Sequence, residues 1–202
     1  MIAVIDYDAG NLRSVQKALD AIGEENIVTK DRDEILKSDR VILPGVGAFG
    51  DAIGHLETLK LDKVIKEVCE INKPLLGICL GMQLLLDLSF EFGEYQGLGL
   101  IPGNVRPIAD VIDPELKIPH IGWNPLLIRK ESPIFRYIRE GDCVYFVHSY
   151  YAADCQESVI AEAEYSVPLT AAVAKENVFG CQFHPEKSGE VGLKILQAFC
   201  EL

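Results

Sequence analysis

The stretch Leu75-Leu76-Gly77-Ile78-Cys79-Leu80-Gly81-Met82-Gln83 sets a cysteine between two glycines, with an apolar segment carrying Leu84, Leu85, Leu86 and Leu88 behind it. A buried strand that turns sharply into a helix at such a point holds the nucleophile in a strained conformation. Residues without side chains two before and two after it leave room for that turn. The helix N-terminus and its free amides favour thiolate, and the Leu80 N–H points where an oxyanion would form. Gly-x-Cys-x-Gly on its own is equally the pattern of a core cysteine beside two incidental glycines, so a partner base has to decide.

A cysteine nucleophile needs a histidine, usually held by a third group. Only four histidines exist. His55, near Glu57 and Lys60, reads as solvated helix surface, and His120 reads as a loop residue between Pro119 and Ile121. His148 ends the alternating strand Tyr145-Phe146-Val147-His148. His184 ends Val178–Phe183 and is followed by Pro185-Glu186, 184 − 79 = 105 residues beyond the cysteine. In open α/β sheets chemistry gathers at the carboxyl ends of strands, where both Cys79 and His184 are expected. Pro185 stops the strand, so Glu186 can fold back and hold the imidazole. A strand-terminal histidine capping its own turn is the plain alternative, and Cys79 is what argues against it. The cysteines at 69, 143, 155, 181 and 200 show no C-x-x-C pair and no metal-ligand spacing, so they read as small core residues or incidental thiols. No metal or cofactor is expected.

The elements that must position these groups are legible in outline. Ile2–Ile5, Val41–Leu43 and Leu75–Ile78 are continuous apolar runs, the pattern of parallel strands buried on both faces. Between them Leu12, Val15, Leu19 and Ile22, and then Leu61, Val64, Ile65, Val68 and Cys69, recur at helical spacing. Asn11 is placed to cap the first helix and Gly23 to end it. After about residue 104, Pro and Gly punctuate short strands at 118–128, 144–151, 159–163, 170–174 and 178–183, and a helix from near Lys187 carries Val191, Ile195, Leu196 and Phe199. The expectation is one α/β domain over residues 1–202. It has an open, mostly parallel sheet with helices on both faces and antiparallel strands added in the second half.

Composition bounds the partners. The chain has 202 residues, 49% apolar and 25% charged, with 19 Lys plus Arg against 31 Asp plus Glu for a formal charge of -12. That sign repels phosphate backbones and anionic membranes, so neither nucleic acid nor membrane is expected, and a basic protein surface suits it better. No apolar run approaches the ~20 residues that span a bilayer. The opening Met1–Asp6 reads as a strand rather than a leader, which with the unpaired cysteines points to a cytoplasmic setting.

Gly77–Gln83 together with His184-Pro185-Glu186 resembles the class I (triad) glutamine amidotransferases, over essentially the whole chain. Within that family, four further stretches are similar to the glutaminases of imidazole glycerol phosphate synthase. They are Tyr7–Val15, Pro44–Gly50, Pro119–Asn124 and His184–Ser188. Asp8 and Ala9 stand where that pattern has glycine and a larger residue, and Ala172 where it often has serine.

The resemblance implies a Cys79, His184, Glu186 triad that hydrolyses glutamine to glutamate and ammonia. Oxyanion donors would come from Leu80 and from Val46 or Gly47, and the glutamine would be gripped by Gln83 and by the main chain of His148, Ser149 and Tyr150. It further implies a (β/α)₈-barrel cyclase partner in histidine biosynthesis, met by Asn11, Trp123, Asn124, Tyr145 and Lys187. The two glycines of Pro44-Gly45-Val46-Gly47 leave that segment free to rotate a peptide, so slow turnover without the partner is expected. Competing readings are a glutaminase for anthranilate or pyridoxal phosphate synthesis, a silent binding module of the same fold, and a cysteine peptidase or redox sensor.

Overall fold

Strands with no polar position must be covered on both faces, and the helices between them supply the cover. The computed structural model describes residues 1–8 and 10–202; Ala9 lies outside the described residues. The first half runs β1 (Ile2–Ile5), α1 (Leu12–Ala21), β2 (Asn26–Thr29), α2 (Arg32–Lys37), β3 (Arg40–Gly45), α3 (Phe49–Thr58), α4 (Leu61–Glu70), β4 (Leu75–Cys79) and α5 (Leu80–Leu84). The second half adds β5 (Leu88–Ser89), β6 (Tyr95–Gln96), β7 (Asn104–Pro107), β8 (His120–Pro125), β9 (Leu127–Ile128), β10 (Cys143–His148) and β11 (Tyr150–Ala153). Then follow β12 (Val159–Tyr165), β13 (Val167–Lys175), β14 (Val178–Cys181) and α6 (Gly189–Cys200).

The main sheet has eight strands in the order β2-β1-β3-β4-β14-β13-β12-β9. Pairing is parallel from β2 to β14 and antiparallel from β14 to β9. One face is covered by α1 and α6 through Val15, Leu19, Ile195, Leu196 and Phe199. The other is covered by α2, α3 and α4 through Ile35, Phe49, Leu56, Leu61, Val64 and Ile65. Burying each of the larger aliphatic or aromatic side chains contributes roughly 1.5–3 kcal/mol relative to exposure.

Four expectations need correction. The apolar segment after Cys79 is helical only to Leu84; Leu84, Leu85 and Leu86 are buried all round, and the N–H groups of Leu98 and Leu100 satisfy the carbonyls of Leu84 and Leu85. Residues 118–128 form two strands, β8 and β9, with buried Leu126 between them. The second half does not all join the main sheet. β8 and β10 make a separate antiparallel ribbon, and β11, β7, β5 and β6 make a small third sheet. His120 lies in strand β8, 1% exposed, rather than in a loop. Strand β2 and helix α2 went unread because polar residues interrupt both: β2 is half-buried at the sheet edge, and α2 buries only Ile35.

Candidate active site

Strand β4 delivers Cys79 to the turn at φ 54°, ψ -110°, a region that non-glycine residues occupy only where the surroundings enforce it. The neighbours show why the flanking residues are glycine. A Cβ on Gly77 would meet the Gly81 carbonyl oxygen at 2.7 Å, and one on Gly81 would overlap the carbonyl of Leu43. Tyr7 braces the adjacent strand end, its buried hydroxyl donating to the Pro44 carbonyl at 2.7 Å.

The sheet order places β14 beside β4, with Cys181 opposite Ile78, so the chain leaving β14 brings His184 to the elbow. His184 Nδ1 donates to Glu186 Oε1 at 2.7 Å, and the two side chains are 1% and 0% exposed. The turn between them is locked: the His184 N–H donates to the Tyr145 carbonyl at 3.0 Å, and Ser188 Oγ donates to the His184 carbonyl at 2.6 Å. Burial pulls the imidazole pKa down. Hydrogen bonding to Cys79 and Glu186, with their charges, outweighs it and pushes the pKa up to about 9. With Nδ1 committed to Glu186, Nε2 is the nitrogen available to the thiol.

A cleft of about 320 Å³ opens over the thiol, at the small end of the ~300–1,000 Å³ typical of small-molecule sites. Its walls include Val46, Gly47, Cys79, Leu80, Gln83, His148, Ser149, Tyr150, His184 and Lys187, so most of the expected site residues converge there. Gly47 has φ +103°, a conformation that favours glycine. Gln83 Nε2 donates to the Tyr150 carbonyl at 3.2 Å and to Gln182 Oε1 at 2.9 Å, which leaves Gln83 Oε1 as the acceptor facing away from both. His148 is buried and donates from Nδ1 to the Tyr150 carbonyl at 2.8 Å, with His120 Nδ1 3.0 Å from its Nε2. Burial lowers its pKa to about 4, so at neutral pH it is a neutral brace for the 148–150 segment rather than a proton shuttle.

Two residues of this site were invisible to sequence reasoning. Gln182 is fully buried and directs Nε2 at Cys79 Sγ across 3.8 Å. Glu91 lines the cleft, accepts the Phe49 N–H at 2.7 Å through Oε2, and has its pKa raised by burial. The only signal for Gln182 was a polar residue in an apolar run, two residues before His184.

The expected partner-facing residues divide. Trp123 is 55% exposed and stacks edge-on against half-buried Tyr145 at 6.0 Å, with Ile121 at 58% exposed along the same face. Lys187 is exposed at the cleft mouth. Asn124 faces the other side of β8: His120 Nε2 lies 3.2 Å from its Oδ1, and its Nδ2 donates to the Glu164 carbonyl at 2.8 Å. Asn11 is only 6% exposed and stands behind Glu186 rather than on an open face. It begins α1, yet its side chain makes no capping bond, against the sequence expectation. Asp8 adopts φ 70°, a left-handed conformation that glycine, asparagine and aspartate tolerate best.

Among the described residues no group of three or more His, Cys, Asp or Glu is arranged to hold a metal, and no helix is long and apolar enough to cross a membrane.

Comparison with known proteins agrees with this geometry. Residues 3–201 match the family model described as glutamine amidotransferase class-I. The chain is 54% identical over 200 residues to a Bacillus cereus (strain G9842) protein named imidazole glycerol phosphate synthase subunit HisH, covering 98% of this chain and 93% of that one. It is 48% identical over 202 residues to the protein of the same name from Listeria monocytogenes serovar 1/2a, covering 100% and 96%. Among solved structures, one described as a glutamine amidotransferase superposes with TM-score 0.77 at 17% identity, covering 100% of this chain and 98% of that one. Another, PurLQS from Thermotoga maritima, gives 0.75 at 22%, covering 99% and 97%. These two bear on the fold alone.

Proposed function

The chain belongs to the class-I glutamine amidotransferases, and from that premise we propose that it is the glutaminase subunit of an imidazole glycerol phosphate synthase, with Cys79, His184 and Glu186 as its triad. The observation that carries the reading is the junction of β4 and β14. A strained cysteine and a buried histidine–carboxylate pair meet there at the floor of an amino-acid-sized cleft.

The chemistry follows from the atoms. Cys79 passes its proton to His184 Nε2 as Sγ attacks the side-chain amide carbon of glutamine, and the oxygen of the tetrahedral adduct takes hydrogen bonds from the Leu80 N–H and from the Val46–Gly47 segment. Losing one such donor typically costs about 10²–10³ in rate. His184 Nε2 delivers a proton to the departing nitrogen, ammonia leaves and a thioester remains. His184 then removes a proton from water, which attacks the thioester and releases glutamate and the thiol. Glu186 accepts from His184 Nδ1 and holds the imidazole in register. Gln83 Oε1 and Glu91 are acceptors suited to the substrate ammonium, and the 148–150 main chain to its carboxylate.

Ammonia passes to a separate (β/α)₈-barrel cyclase subunit. Exposed Ile121 and Trp123, with Tyr145 and Lys187 beside the cleft mouth, form the face it would cover. Cys79→Ala in the assembled complex tests the reading. Glutamine-dependent synthesis is lost while synthesis from free ammonia persists, because the triad only makes ammonia. Loss of both activities in a folded complex would overturn it.

A further inference from the structure

Asn11 and Glu186 are 175 residues apart in sequence, yet Asn11 Nδ2 donates to Glu186 Oε1 at 2.9 Å. This is the same carboxylate oxygen that accepts the His184 Nδ1 proton at 2.7 Å. The orientation of the amide is fixed by its neighbour, since the reverse flip would set two oxygens against each other. The carboxylate is fully enclosed, and among the described residues its Oε2 has no partner, so Asn11 and His184 are its donors. A carboxylate enclosed this way is costly to leave without donors, so each hydrogen bond to it matters for its position.

The ordinary role for asparagine at this place is to cap α1. The Asn11 carbonyl does receive the Ser14 and Val15 N–H groups, but the side chain contributes no cap and is turned inward to the triad.

We propose that Asn11 is a positioning residue of the glutaminase reaction, a neutral fourth member that fixes the Glu186 carboxylate in place behind His184. The inference rests on the glutaminase reading given above. The titratable groups that face this pair are His184 on its own turn and Cys181 on β14 beside the carboxylate, with Cys79 at the end of β4 and His148 on β10 beside the imidazole.

Asn11→Asp separates this role from capping. Aspartate is as good an N-cap as asparagine and sits well at a helix N-terminus, so α1 is preserved. At the same time it removes the donor and sets a second carboxylate against Glu186, so that the two must share a proton. In the full chain with its partner subunit, Asn11→Asp and Asn11→Ala are expected to lower kcat roughly 10–100-fold, the loss for deleting one hydrogen bond to a charged group. The KM for glutamine is expected to hold, since Asn11 does not line the cleft. The acid limb of the pH–rate profile moves to higher pH in the Asp variant, and the downfield His184 Nδ1 proton resonance shifts or broadens. An Asp variant with wild-type kcat, pH profile and His184 resonance overturns the proposal. Absence of glutaminase activity in the wild-type complex would instead sink the functional reading. The resonance comparison would still decide whether Asn11 holds the Glu186–His184 pair.

Discussion

Gly81 lies directly against the Leu43 carbonyl, so close that a Cβ on residue 81 would overlap that oxygen. Helix α5 and strand β3 therefore meet backbone to backbone, and the thiol's position is set by that contact. Gly81→Ala is expected to destabilise the fold by about 1–3 kcal/mol or more, the usual cost of overpacking against atoms that cannot swing away. Urea unfolding would show it. An unchanged midpoint would mean that the elbow is softer than its contacts indicate.

The histidine–carboxylate pair gives a pH signature with a definite sign. The His184 pKa is raised from 6.5 to about 9, so the proton it holds stabilises the fold fully below about pH 6.5, and that contribution fades as pH rises through 9. Removing the carboxylate as Glu186→Gln takes away part of that shift. The stability advantage of wild type over Glu186→Gln is thus expected to be largest near pH 6 and to shrink toward pH 10. An advantage that grows with pH would contradict the assignment of the charge to His184.

Thiol chemistry should be selective for a structural reason. Burial pushes the thiols of Cys69 to about 11 and Cys200 to about 12, and raises those of Cys155 and Cys181 as well. Cys143 is exposed but does not line the cleft over Cys79. A glutamine-like electrophile is expected to label Cys79 alone, whereas a small unspecific alkylator also takes Cys143. Peptide mapping that finds Cys143 labelled first by the glutamine analogue would remove Cys79 as the nucleophile.

Glu91 offers a test of substrate grip. It lines the cleft without touching the triad, so Glu91→Gln is expected to raise KM for glutamine about 10–100-fold, the worth of one charge-assisted hydrogen bond, with a smaller change in kcat. Steady-state kinetics with glutamine decide it; a fall in kcat at constant KM would place Glu91 in the chemistry instead.

What could be read from the sequence was whatever is local in it. The elbow around Cys79 is a nine-residue pattern, and Glu186 stands two residues from the histidine it holds, so the grouping of these three side chains was legible. Gln182 was not, because its partner Cys79 is 103 residues away. Asn11 was misread for a related reason: its backbone begins a helix as its residue type suggests, while its side chain answers to a carboxylate far along the chain. The β8–β10 ribbon was misplaced because alternation in a strand says which face is wet but not which sheet the strand joins.

The central place of β14 has a consequence for how the protein is made. Strands β1 to β4 and their helices are translated first, and they already contain the whole elbow with its thiol. Until β14 docks, the apolar edge of β4 is open and Cys79 has no base. A chain arrested before Val178 therefore carries a nucleophile that cannot turn over glutamine, exposed to oxidants and to other strand edges. Activity begins only when β14 is inserted into the middle of the sheet, so a working glutaminase certifies that its chain has been made and folded through β14 and the turn that carries His184 and Glu186.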